Sequence, residues 1–128
     1  MIYVDTSVAL AHLLAEDRRP PEALWTEELV TSRLLEYELW NRLHQMDLAR
    51  SHVDPARAML ARFAWVELQQ EVLDRALAPF PAPVRTLDAL HLASVSFLEQ
   101  LEEQPALATY DRRMREAALA MGLSLYPL

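Results

Sequence analysis

Short apolar runs alternate with helical periodicities along the whole chain. Ile2-Tyr3-Val4 is a β-prone run with no charged position. Val8, Leu10, Ala11, Leu13 and Leu14 then recur at helical spacing, with Thr6 or Ser7 placed to cap that helix. Pro20-Pro21 breaks the pattern, and Pro21 can open a short helix through Ala23-Leu24-Trp25. Leu29-Val30-Thr31 reads as a second strand. Ser32 is the expected cap of a long helix, RLLEYELWNRLHQMDLA, with Leu35, Leu39, Leu43 and Met46 along one side. Asp54-Pro55 reads as a helix start with Asp at the cap, the helix running to about residue 63. Residues 65–68 form a third strand candidate, followed by a helix near 71–77 and a proline-rich loop at 79–83. A strong helix starts near Thr86 in TLDALHLASVSFLEQL. Residues 106–110 predict a fourth strand, and RRMREAALAM a last helix that stops at Gly122, a left-handed C-terminal cap. Residues 123–126 close the pattern as a fifth strand.

The strands are short and apolar and mostly do not alternate with polar residues. That is the signature of a parallel sheet covered on both faces, an α/β fold. The 128 residues carry no internal repeat or linker, so one domain over 1–128 is expected. No apolar run approaches a membrane span, the N-terminus lacks the basic flank of an export signal, and there are no cysteines. A reducing cytoplasm with no membrane partner is the expected setting.

Four acids do not suit a core. In an open parallel sheet, ligands bind beyond the carboxyl ends of the strands. Asp5 follows the first strand and Asp111 the fourth, so both face that crevice if the two strands are neighbours. Glu38 lies one turn from Leu34 and Leu35. Asp88 sits between Leu87 and Ala89-Leu90 in the first turn of the most apolar helix. Each has a structural reading. Asp5 and Asp111 can cap helices, Asp88 can answer a helix dipole, and Glu38 can pair with Arg42 at i,i+4. Together the four would repel one another in one crevice, and a hard divalent cation resolves that conflict. Such a site acts on phosphate esters. Rival phosphate chemistries need residues this chain lacks. All twelve Lys/Arg positions are arginine, so no lysine is present to steady a phosphoryl group, and a single glycine excludes P-loop and dinucleotide fingerprints.

Asp5-Thr6-Ser7 resembles the opening motif of PIN-domain ribonucleases, most closely the VapC toxins of VapBC toxin–antitoxin pairs. Ser32 with Glu38 resembles the second motif, RTLDALHLAS the third with Asp88 as its acid, and ATYDRRMREAALAMGL the last, with Thr109 and Asp111. The resemblance spans essentially the whole chain. It implies a three-layer α/β/α sandwich around a parallel sheet of about five short strands. It further implies Mg²⁺- or Mn²⁺-dependent endonucleolytic cleavage of RNA, leaving a 5′-phosphate and a 3′-hydroxyl. By motif, Asp5, Glu38, Asp88 and Asp111 form the catalytic pocket, with Asp5, Asp88 and Asp111 closest to metal. Thr6, Ser7 and Thr109 would support them by hydrogen bonding. The family also implies a VapB-like antitoxin, homodimerisation, and inhibition of growth or translation when the toxin is unbound.

Other residues complete the expectation. Arg85 and Arg112 flank motif acids and suit RNA phosphates, with Arg33 and Arg42 similarly placed near Glu38, while Arg113 and Arg115 suit a solvated helix face. His91, one turn after Asp88, is expected to pack on the sheet with one hydrogen bond. His12, His44 and His52 read as ordinary surface or boundary residues. Leu34, Tyr37 and Trp40, with Trp25, are divided between core and an exposed apolar patch. The formal charge of −7 is unusual for an RNA-binding protein; much of it is expected at helix ends and loops, in Glu16-Asp17, Glu27-Glu28 and Glu102-Glu103. Alternatives in other classes are a non-catalytic PIN-like binding scaffold and a nuclease of RNA maturation.

Overall fold

A computed structural model describes all residues, 1–128. Five strands form one parallel sheet: β1 (Ile2–Val4), β2 (Leu29–Ser32), β3 (Ala64–Val66), β4 (Ala106–Ala108) and β5 (Ser124–Leu125). Six helices connect them: α1 (Thr6–Leu13), α2 (Arg33–Gln45), α3 (Val53–Leu60), α4 (Gln70–Leu77), α5 (Thr86–Gln100) and α6 (Arg112–Ala120), with a 3-10 turn at Glu22–Thr26. The strand order is β3-β2-β1-β4-β5. The chain therefore starts in the middle, builds outward on one side, and returns to build outward on the other. β1 pairs with β4 in register Ile2↔Ala106, Tyr3↔Leu107 and Val4↔Ala108. The order reverses between these two strands, which makes their carboxyl ends a switch-point crevice.

The side-chain alternation of β1 divides the core. Ile2 and Val4 point to one face, where α1, α2 and α3 bring Val8, Leu35, Leu39, Leu43 and Met59. Tyr3 points to the other, where α4, α5 and α6 bring Val72, Leu92, Val95, Met114 and Ala117. Both faces are covered, which gives the expected three-layer α/β/α sandwich and explains the unbroken apolar strands.

Several local expectations shift. Of the three residues able to cap α1, Asp5 does so rather than Thr6 or Ser7, as its capping reading expects; its carboxylate accepts the Ser7 N–H. His52 stands at the N-terminal cap of α3 without a side-chain capping bond, so Asp54 lies in the first turn and Pro55 costs nothing where backbone N–H groups are unpaired anyway. Ser32 does cap α2, accepting from Leu34 N–H at 3.1 Å. Gly122 has φ +76° past the end of α6, as expected. Three further helices end on the same left-handed turn without glycine, at Ala15, Asp47 and Glu102. No helix is long and apolar enough to cross a membrane.

Candidate active site

β1 and β4 end side by side, so Asp5 and Thr109 emerge next to each other. Thr109 Oγ1 donates to Asp5 Oδ2 at 2.8 Å, and Ser7 Oγ donates to the same oxygen at 2.7 Å. Thr109 Oγ1 also accepts the Asp111 N–H at 3.0 Å, and Ser7 Oγ accepts the Tyr110 N–H at 3.0 Å. The Asp-Thr-Ser and Thr-x-Asp segments are thus stitched into one polar knot. Asp5 is buried and Asp111 half-buried. Asp111 also caps α6, its Oδ1 accepting from Met114 N–H at 3.0 Å. The capping reading and the convergence reading hold together at both strand ends, because each carboxylate has two oxygens. The bonds made by Asp5 go to Oδ2, leaving Oδ1 turned towards the His91 ring at 3.8 Å.

The helices supply the other two acids. Glu38 projects from α2, and its Oε1 accepts from Thr6 Oγ1 at 2.8 Å and meets His91 Nε2 at 2.6 Å. Arg42 makes no ion pair with it, so the predicted i,i+4 pair gives way to a contact with α5. His91 is almost wholly buried, and its Nδ1 meets the Tyr3 hydroxyl at 2.8 Å. The expectation of one hydrogen bond for His91 is therefore too low: Tyr3, Glu38 and, at 3.3 Å, Thr6 all reach it. A carboxylate can only accept, so Nε2 carries a proton towards Glu38. Sequence pattern gives no sign of this relay, since Tyr3 reads as an ordinary strand residue. The available signal was a titratable ring one turn from Asp88 on a buried helix face.

The pKa directions report the same neighbourhood. Asp88 is pushed up, first by partial burial and then by the charges of Asp111 and Asp5, with Glu38 adding and His91 opposing. Burial alone would raise Glu38, but the hydrogen bond and charge of His91, with Thr6, outweigh it and hold the carboxyl low. Burial likewise works against the His91 imidazolium, yet Glu38, Asp5 and Asp88 together hold its pKa above the ordinary value. Burial raises the Tyr3 phenol, which stays protonated.

No three acids stand close enough to form a ready-made metal cluster. The donor set nevertheless suits Mg²⁺ or Mn²⁺, which keep several waters and are bound through one or two carboxylates rather than a closed protein cage. The hydrogen bonds of Asp5 go to Oδ2 and those of Glu38 to Oε1, Asp88 accepts none, and none of the four acids is paired with an arginine.

None of the arginines that flank the motif acids in sequence is paired with one of those acids. Arg112 is exposed and pairs with Glu116 at 3.1 Å, Arg33 pairs with Glu67 at 2.7 Å, and Arg85 precedes α5 at an exposed position. Arg113 is exposed and Arg115 half-buried. Of the apolar group, Trp25 is core, Leu34 and Trp40 are half-buried, and Tyr37 is exposed. His12 is a boundary residue, half-buried with its ring 4.3 Å from that of Trp25.

Residues 2–119 match the model of the PIN domain family. The chain is a PIN domain. Its curated relatives are of VapC type. Ribonuclease VapC35 of Mycobacterium tuberculosis is 32% identical over 98% of this chain and 95% of its own length. Ribonuclease VapC46 of the same organism is 35% identical over 75% of this chain and 71% of its own. In three dimensions, the PIN fold here is similar to the crystal structure of M. tuberculosis VapC20, a sarcin–ricin-loop-cleaving toxin, with a TM-score of 0.69 over 91% and 95% of the two chains at 21% identity.

Proposed function

We propose that residues 1–128 form a single nuclease domain that hydrolyses RNA phosphodiester bonds as a metal-dependent VapC-type toxin. One observation carries this reading. Asp5 and Asp111 are tied together through Thr109 at the ends of β1 and β4, Glu38 is tied through Thr6 and His91 beside them, and Asp88 feels the charges of Asp111 and Asp5, with no arginine paired to any of the four. A fold tolerates such repulsion most readily where a cation is to bind. Asp5, Asp88 and Asp111 would hold the ion directly or through water. A bound Mg²⁺ or Mn²⁺ would offset the charge of the scissile phosphate and make an attached water nucleophilic near neutral pH.

The remaining roles belong to the chain itself. Ser7 and Thr109 spend their hydroxyl protons on Asp5 Oδ2, which fixes the carboxylate plane and leaves Oδ1 for the ion. Thr6 and His91 fix Glu38 through Oε1, leaving Oε2 to orient or accept a proton from water. Tyr3 holds the His91 ring from inside the core. The antitoxin and a second copy of the chain are part of the same proposal. Its support is the VapC type of the relatives and the exposed Tyr37 beside half-buried Leu34 and Trp40 on α2. A cytoplasmic site of action accords with an RNA substrate.

The test is cleavage of RNA by purified, antitoxin-free protein with Mg²⁺ or Mn²⁺, beside chelator and beside Asp5→Asn. Loss of activity by about 10²-fold or more is expected for Asp5→Asn, with the protein still folded. The reading fails if no RNA is cut with either metal while Asp5→Asn still arrests growth on expression.

A further inference from the structure

A groove of about 370 Å³ leads away from the acids and shares Thr6, Ser7 and Glu38 with them. Its far part is built from side chains the hydrolysis itself does not use. Tyr110 forms one wall. Its backbone N–H is bonded to Ser7 Oγ, which in turn is bonded to Asp5, so the main chain that carries the ring is anchored two hydrogen bonds from a motif acid. The guanidinium of Arg18 lies over the ring, 4.8 Å from its centroid. The opposite wall is the stripe of α2 that continues from Glu38. Asn41, Arg42 and Gln45 follow at i+3, i+4 and i+7, all exposed and none with a side-chain partner. Leu87, also exposed, adds an apolar contact at the start of α5.

Resting on the nuclease reading, we propose that this groove is the subsite for an unpaired nucleobase next to the scissile phosphate. The base stacks on Tyr110, and the amides of Asn41 and Gln45 address its edge. Single-stranded RNA is recognised by aromatic stacking combined with hydrogen bonds to splayed-out base edges. An aromatic ring, two free amides and two arginines without acid partners supply that combination, and in this acidic chain they stand directly beside the acids. Arg18 is a placeholder. Its exposed contact with the ring is a weak one, and an incoming base displaces it towards the adjoining phosphate, where its charge is better used. Tyr110 thus supplies affinity for any base, Asn41 and Gln45 are the specificity residues, and Asp5, Glu38, Asp88 and Asp111 are indifferent to sequence.

The experiment uses the full chain in two measurements. In the first, single-stranded RNA is bound to Asp5→Asn protein, so that the substrate survives, and affinity is read by fluorescence anisotropy. Adding Tyr110→Leu should weaken binding about tenfold, whereas Tyr110→Phe keeps the ring and stays close to the parent. Arg18→Ala should flatten the dependence of log affinity on log salt by about 0.7, one phosphate's worth. In the second, RNA ends produced by the otherwise native protein are mapped. Gln45→Ala and Asn41→Ala, both at exposed positions, should broaden the base preference beside the cut. The subsite is overturned if Tyr110→Leu, with unchanged melting, binds like the parent. It is equally overturned if Gln45→Ala and Asn41→Ala leave base preference unmoved. The two readings fail separately. A chain that cuts no RNA but loses RNA affinity with Tyr110→Leu keeps the subsite and loses the nuclease; normal cleavage with unmoved preferences does the reverse.

Discussion

At the strand ends, Asp5 and Asp111 each serve the fold as well as the pocket, since each caps the helix that follows it. On the helices, Glu38 and Asp88 cap nothing. Glu38 is held by a buried relay, and Asp88 accepts no hydrogen bond but carries the charge of its neighbours. The strand-end acids are therefore fixed by local geometry that stabilises the protein on its own account. The helix acids are placed by packing between layers, and Asp88, its carboxyl pushed up by burial and by Asp111 and Asp5, is expected to oppose folding when ionised. The pocket combines two ways of holding a carboxylate, and substitutions should separate them.

The helix-side relay should give the largest stability effect. His91→Leu leaves the Tyr3 hydroxyl without its ring partner in a dry core and strips Glu38 of its main contact. A loss of about 3 kcal/mol is expected, in the range for breaking a buried charged hydrogen-bond pair. Tyr3→Phe removes only the hydroxyl and leaves His91 Nδ1 unpaired, so about 1–3 kcal/mol should go. Denaturant unfolding in chelator measures both. If either variant unfolds like the parent, the relay is not holding Glu38.

The capping contrast is smaller. Asp111→Ala removes the side-chain acceptor of Met114 N–H and should cost about 1 kcal/mol. Asp88→Ala, in the first turn of α5, removes no hydrogen bond. Equal destabilisation by the two would erase the distinction between strand-end and helix acids.

This contrast also marks what could be read from sequence. The parallel sheet, its helical layers and the four acids followed from apolar runs, spacing and carboxylates in apolar company. The pairing of β1 with β4 was left as a condition, because nothing local in either strand names its neighbour; the register Tyr3↔Leu107 supplies it. The cap of α1 stayed divided among three residues for a physical reason. Asp5, Thr6 and Ser7 can all cap, and only the position of Thr109 shows that Ser7 Oγ is drawn to the carboxylate. The left-handed ends at Ala15, Asp47 and Glu102 were hidden because glycine, the usual marker, is absent there. The Tyr3–His91–Glu38 chain lay beyond periodicity altogether, since it joins three elements that meet only in space. Arg18, Asn41 and Gln45 were missed because exposed polar residues in a loop and on a helix carry no pattern until Tyr110 faces them across a groove.

The subtlest effect concerns charge alone. Asp88 has a folded pKa above its ordinary value of 3.8, caused by burial and by Asp111 and Asp5. A raised carboxyl favours the folded state below the unfolded pKa, and that advantage is lost as pH rises through the folded one. At neutral pH the ionised side chain therefore works against folding. Asp88→Asn removes this charge, so in chelator it should melt above the parent at neutral pH. The gap should shrink as the solution is acidified through the raised value towards 3.8, where the parent's own carboxyl becomes neutral. On the proposed metal role of Asp88, adding Mg²⁺ should narrow the gap from the other direction, because an ion bound to the folded parent would stabilise it by mass action and the variant would offer one ligand fewer. Melting curves across pH, with and without Mg²⁺, read all three trends. A parent that melts above Asp88→Asn at neutral pH in chelator would mean that the helix-side acid is stabilised by its surroundings like the strand-end acids, and that the pocket holds no repulsion for a cation to relieve.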